Sequence, residues 1–101
     1  MRPLEPENAP GDWYVEKDCC LLCAVPVTVA PGLFEWAVNP ATGEPDHCFV
    51  ARQPQDAAEE GQMIEAAWGA ELECVRYKGV EKRIRDALRS RGVGRAIDSA
   101  E

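Results

Sequence analysis

The chain has no run of about 18 apolar residues, which excludes a membrane-spanning helix of ordinary length. Its first residues, Met1-Arg2-Pro3-Leu4-Glu5-Pro6-Glu7, have neither the basic start nor the apolar stretch of a secretory signal, so a cytoplasmic location is expected. Basic residues are scarce: 11 Lys and Arg stand against 18 Asp and Glu, for a formal net charge of −7. Nucleic-acid binding needs a basic face that displaces counterions from phosphates, and this composition argues against it. A membrane surface is disfavoured on the same ground. No glycine-rich phosphate loop occurs. The single histidine, His47, has no nearby serine or convincing base partner in the sequence, so it reads as a loop residue and not as a catalytic base. No enzyme is expected.

Cysteine, by contrast, is abundant, with five in 101 residues: Cys19, Cys20, Cys23, Cys48 and Cys74. Disulfides are rare in the cytosol, which makes thiol chemistry or metal binding plausible. Five is odd, so at least one thiol stays outside any pairing within the chain. The charge is also uneven. Residues 1–75 carry 14 acidic and 3 basic side chains, and residues 76–101 carry 4 acidic and 8 basic ones. An acidic body of this kind steers towards a basic partner protein and raises the association rate more than the affinity. It also serves solubility.

The length suits one domain with a single core. Residues 1–12 are rich in Pro and Glu and read as a loosely ordered lead-in. Trp13 to Lys17 is aromatic and β-branched at its start and suits a short strand. Pro26 and Pro31 allow at most one helical turn between them. Glu35–Val38 and Cys48–Ala51, separated by the turn-forming stretch from Asn39 to Asp46, read as a β-hairpin with a long loop. Asp56 and Glu59 have capping-box spacing ahead of Met63, Ile64, Ala66 and Ala67, which predicts a helix over 57–68 ended by Gly69. Leu72 to Tyr77 alternates and predicts a strand with Leu72, Cys74 and Arg76 on one face. Val80, Ile84, Ala87 and Leu88 predict a basic helix over 80–91, supported by Glu81–Arg85 and Lys82–Asp86 pairs and stopped at Gly92. Residues 93–101 give no clear signal and read as a fraying tail. Trp13, Trp36 and Trp68 are expected in or at the core, and one that proved exposed would be a natural anchor for a partner.

Tyr14-Val15, Cys20, Cys23, Ala30-Pro31-Gly32-Leu33-Phe34, Val50 and Gln53-Pro54 stand in the order found in divergent single-cluster ferredoxins. Over about residues 8 to 78 the chain resembles that family. The resemblance implies a small ferredoxin-like α+β domain of short antiparallel strands and two helices, here with an added C-terminal helix. The family's third and fourth ligand positions fall on Pro26 and near Ala70, neither of which binds iron. A cubane cluster needs four thiolates converging on one site. Strand pairing in this fold would also bring Cys74 near Cys19, within reach of a disulfide or a shared metal.

Three functions remain open. The favoured one is a non-enzymatic protein-binding module on a degenerate ferredoxin scaffold, without a cofactor, whose acidic face engages a basic protein. Small acidic immunity proteins that neutralise bacterial toxins are one class with this profile. The alternative is a ferredoxin-type electron carrier with a non-standard iron–sulfur cluster recruited from Cys19, Cys20, Cys23, Cys48 and Cys74. The third is a zinc-stabilised or thiol-active domain, with Cys20, Cys23, Cys48 and His47 as one tetrahedral set. Buried cysteine also packs simply as a small hydrophobe, which is the plainest reading of Cys48 and Cys74.

Overall fold

The computed structural model describes residues 3–17, 19, 24–69 and 74–98. Its elements run β1 (Trp13–Val15), α1 (Val25–Val29), β2 (Phe34–Val38), β3 (Pro45–Val50), α2 (Ala57–Gly69), β4 (Val75–Tyr77) and α3 (Lys82–Ser90), followed by a 3-10 turn at Gly94–Ala96. β1 pairs antiparallel with β4, and β2 pairs antiparallel with β3, as two separate two-stranded sheets. This is the expected small ferredoxin-like α+β arrangement with an added C-terminal helix. The core lies between the two sheets and α2, built on Trp13, Val15, Leu33, Phe34, Val50, Met63, Val75 and Leu88.

Local chemistry sets each element. α1 has five residues because Pro26, lacking an N–H, is tolerated only in its first turn, and Pro31 follows its end. In the hairpin, Phe34 opposite Val50 and Trp36 opposite Cys48 turn inward, while Glu35 opposite Phe49 and Ala37 opposite His47 turn outward. The loop is closed by Thr42 and Gly43 N–H groups donating to the Asn39 carbonyl, with Gly43 at φ +73°, a conformation that glycine adopts without strain. α2 begins as its spacing predicts: Asp56 Oδ1 accepts the Glu59 N–H at 2.8 Å. The Glu59 carboxylate accepts the Gln55 N–H and a two-pronged contact from Arg52, which pull its pKa down to about 2. α3 is too short to hold itself together in water, and burial of Ile84 and Leu88 against the core supplies about 1.5–3 kcal/mol for each side chain. Gly92 at φ +80° ends it, with the Val93 N–H returning to the Leu88 carbonyl.

Four expectations need correction. Val80 lies before α3 and is exposed, because the helix starts only at Lys82. Of the two side-chain pairs expected on α3, Lys82–Asp86 forms, whereas Arg85 turns its Nε to the Gly79 carbonyl. β4, at Val75–Tyr77, is buried on both faces. The reason is the third difference: residues 93–98 do not fray but form a turn, a bridge from Ile97 to Tyr77, and a buried Asp98 that covers the Arg76 face of β4. Lastly, residues 3–12 are not a loose lead-in but a strap. The Glu5 N–H donates to the Val15 carbonyl, the Ala9 N–H to the Val50 carbonyl, and the Leu4–Glu16 bridge continues the contact. Backbone donors of the strap thus satisfy acceptors on β1 and β3 that would otherwise be exposed edge groups.

Candidate functional site

The cysteines fall at two places. Cys19, just past β1, and Cys74, just before β4, form a disulfide with their Cα atoms 5.5 Å apart, at a sequence separation of 55. The β1–β4 register produces this, since Val15 faces Val75 and both chains leave the sheet at the same end. Cys48 sits on the inward face of β3, 2% exposed, within the core beside Trp36 and Val50. Cys20, Cys23 and Ala70 lie outside the described residues. Pro26 is buried in α1, in the position where the family pattern would put a cluster ligand.

This donor set does not fit a four-thiolate cluster. Cys19 and Cys74 are committed to each other and have no thiolate to offer, and Cys48 points into the core of the hairpin. The zinc set of Cys20, Cys23, Cys48 and His47 fails on a simpler point. Consecutive strand residues project to opposite faces, so Cys48 and His47 cannot share one metal.

His47 instead stands at the centre of a different cluster. Its Nδ1 lies 2.8 Å from Asp46 Oδ2. Its Nε2 lies 3.0 Å from Glu7 Oε1 and 3.6 Å from Glu5 Oε1. The strap and β3 are therefore joined through side chains as well as backbone. Burial opposes a charge on His47, but the contacts with Asp46 and Glu7 and the nearby Glu5 carboxylate outweigh it, so its pKa is raised. The Glu7 pKa is lowered, chiefly by its bond to His47.

Two polar clamps hold this lobe in shape. Asn8 Oδ1 accepts the Val15 N–H at 3.1 Å and the Val50 N–H at 2.8 Å, while its Nδ2 donates to the Glu5 and Val15 carbonyls. Gln53 Oε1 accepts the Trp13 N–H, and its Nε2 donates to the Ala9 and Trp13 carbonyls. Asn8 and Gln53 carry no sequence signal for these roles, because each partner is set by the tertiary approach of strap, β1 and β3.

A third polar centre sits under β4. Arg76 Nε donates to Asp98 Oδ1 at 2.8 Å, and the Tyr14 hydroxyl donates to Asp98 Oδ2, all three side chains being buried. Burial alone would raise the Asp98 pKa, but the bonds from Tyr14 and Arg76 reverse this and lower it.

The surface charge is more polarised than the sequence total suggests. Arg52 pairs with Glu59, Arg76 with Asp98, Lys82 and Arg89 with Asp86, Arg83 with Glu60, and Arg91 with Glu65. No Lys or Arg occurs between Lys17 and Arg52, the stretch that contains α1 and the hairpin. Glu35 and Glu44 are exposed there. Trp68 is 55% exposed on α2, with the Arg91 guanidinium 4.8 Å from its ring centre, so of the three tryptophans it is the one outside the core. No helix among the described residues is long and apolar enough to cross a membrane. Comparison with protein-family models, with curated proteins and with solved structures finds no match.

Proposed function

We propose that the chain is a non-enzymatic protein-binding module whose acidic hairpin lobe engages a basic partner protein. The carrying observation is the separation of charge. Lys82, Arg83 and Arg91, on and beside α3, are paired with Asp86, Glu60 and Glu65, while Glu35 and Glu44 lie exposed on a lobe with no Lys or Arg of its own. A field of one sign over a rigid hairpin steers an oppositely charged protein and fixes its approach. Val38 at the end of β2 and Trp68 on α2 are exposed apolar groups of the kind that anchor such contacts. Neutralisation of a basic toxin by a small acidic immunity protein is one biological setting with this charge relation.

Against the electron-carrier reading stands the donor set: a buried proline at one ligand position, two cysteines in a disulfide and a third in the core. The test has two arms. Protein purified without oxygen is analysed for iron and for visible absorption, where stoichiometric iron with a broad charge-transfer band would overturn the binding reading. The partner recovered by affinity capture is then titrated with the wild type and with Glu35→Lys/Glu44→Lys. A basic partner whose affinity falls with salt, and falls at least about tenfold in the variant, supports the proposal. A partner insensitive to both refutes it.

A further inference from the structure

We infer that the acidic lobe is engaged through its backbone: an extended, basic segment of the partner adds as an antiparallel strand to the outer edge of β2. The inference rests on the binding function proposed above and names how the lobe is held. It starts from the direction of each peptide group in β2. The Leu33 carbonyl accepts the Ala51 N–H at 2.8 Å, and the Asn39 N–H donates to the Glu44 carbonyl at 2.9 Å. Backbone groups alternate between the two edges of a strand, so those of Glu35 and Ala37 face β3 and those of Trp36 and Val38 face away from it. Val50, opposite Phe34, agrees: its N–H and carbonyl turn away from β2, to Asn8 Oδ1 and the Ala9 N–H. Among the described residues nothing bonds the outward N–H and carbonyl groups of Trp36 and Val38.

The other strands are covered. The strap lies along β1 and β3, and Ile97 with the Asp98 N–H covers β4 at Tyr77. The end of α1 closes β2 only at Phe34, whose N–H donates to the Ala30 carbonyl at 3.2 Å. An open edge is a template for another strand, and proteins that leave one unused guard it with lysine or proline. β2, Phe34-Glu35-Trp36-Ala37-Val38, has neither. Its one charge is Glu35, exposed on the outward face. Pairing with a second copy of the chain would set two Glu35 side chains on one face, with no Lys or Arg between Lys17 and Arg52 to offset them. A strand that carries Lys or Arg opposite Glu35 gains a favourable contact there instead. Its alternate residues then lie beside Trp36, half-buried, and Val38, 56% exposed, where apolar side chains fit. The segment that matches this edge therefore alternates basic and apolar residues.

The probe is a capped peptide of alternating valine and lysine, titrated at low salt into the isotope-labelled, disulfide-intact protein and followed by amide shifts and exchange. In the free protein the Trp36 amide should exchange faster than those of Glu35 and Ala37; equal protection would overturn the proposal, because the edge would already be closed. Binding should be saturable, slow exchange at Trp36 and Val38, and weaken at least about tenfold in Glu35→Lys. A peptide residue opposite Trp36 turns its N–H towards β2, and one opposite Glu35 turns it away. N-methylation of the valines should therefore abolish binding, whereas N-methylation of the lysines should preserve it. Binding that tolerates methylated valines overturns the strand mode, while its loss in Glu35→Lys/Glu44→Lys would still uphold the acidic-lobe reading. Failure of the parent peptide to bind also overturns the strand mode, and the titration with the captured partner then judges the acidic lobe separately. A dimer in sedimentation that excludes the peptide would make a second copy the occupant and overturn the proposal as well.

Discussion

Replacing Asp98 by Asn tests whether the C-terminal segment is a structural part of the domain. Asp98 and Arg76 each have side chains 5% exposed, and their contact is 2.8 Å. Asn supplies one acceptor where Asp supplies two, so either the Tyr14 hydroxyl or the Arg76 guanidinium loses its partner, and the guanidinium keeps a buried charge with no carboxylate facing it. Breaking a buried pair from one side costs about 3–5 kcal/mol, a large share of the ~5–15 kcal/mol that holds a domain of this size together. Each kcal/mol moves the thermal midpoint by roughly 4–8 °C in a chain of about 100 residues, so Asp98→Asn should melt ~15 °C or more below the wild type. Circular dichroism during urea and thermal unfolding measures both quantities. The companion variant Tyr14→Phe/Arg76→Met/Asp98→Leu removes every polar member together and should return to within about 1–2 kcal/mol of the wild type, because apolar replacements avoid the desolvation penalty. A loss below about 1 kcal/mol in Asp98→Asn would refute the reasoning, as would a triple variant no better than the single one.

The same carboxylate predicts a pH dependence. The folded Asp98 pKa lies below its ordinary value, so its contribution is fully present above the unfolded pKa of about 3.9 and is lost as pH falls through the lower folded value. Stability should therefore drop below about pH 4, with a shallower slope in Asp98→Asn, as read from urea midpoints at each pH. The Cys19–Cys74 bond closes a loop between cysteines 55 residues apart, which removes about 4 kcal/mol of unfolded-state entropy. Cys19→Ser/Cys74→Ser should lower the urea midpoint accordingly, and thiol labelling of the unfolded wild type should find two fewer reactive cysteines than after reduction. Asn8→Ala leaves the Val15 and Val50 N–H groups without their acceptor and should cost about 2–4 kcal/mol, with faster amide exchange at those two positions.

The order of elements was readable because it rests on short-range chemistry. Prolines at 26 and 31 limit α1, Asp56 caps α2, Gly43 and Gly92 turn the chain, and periodicity marks α3. The proximity of Cys19 and Cys74 follows once β1 and β4 are paired antiparallel. The candidate site was not readable in this way. By residue type alone His47 reads as a loop residue and the cysteines as ligands; only the fold places Glu5 and Glu7 against His47 and turns Cys48 the other way.

The difference has one physical origin. By itself the sequence determined what depends on neighbours a few residues apart: the caps, breaks and turns, the strand and helix periods, and the excess of negative charge. The tertiary structure alone decided what depends on groups far apart in the chain. Asn8 bonds across to Val50, and Tyr14 and Arg76 close on Asp98, turning two polar ends with little to bury into a strap and a seal. Such contacts satisfy buried donors and charges only after the core has brought the strands together, so no local pattern announces them.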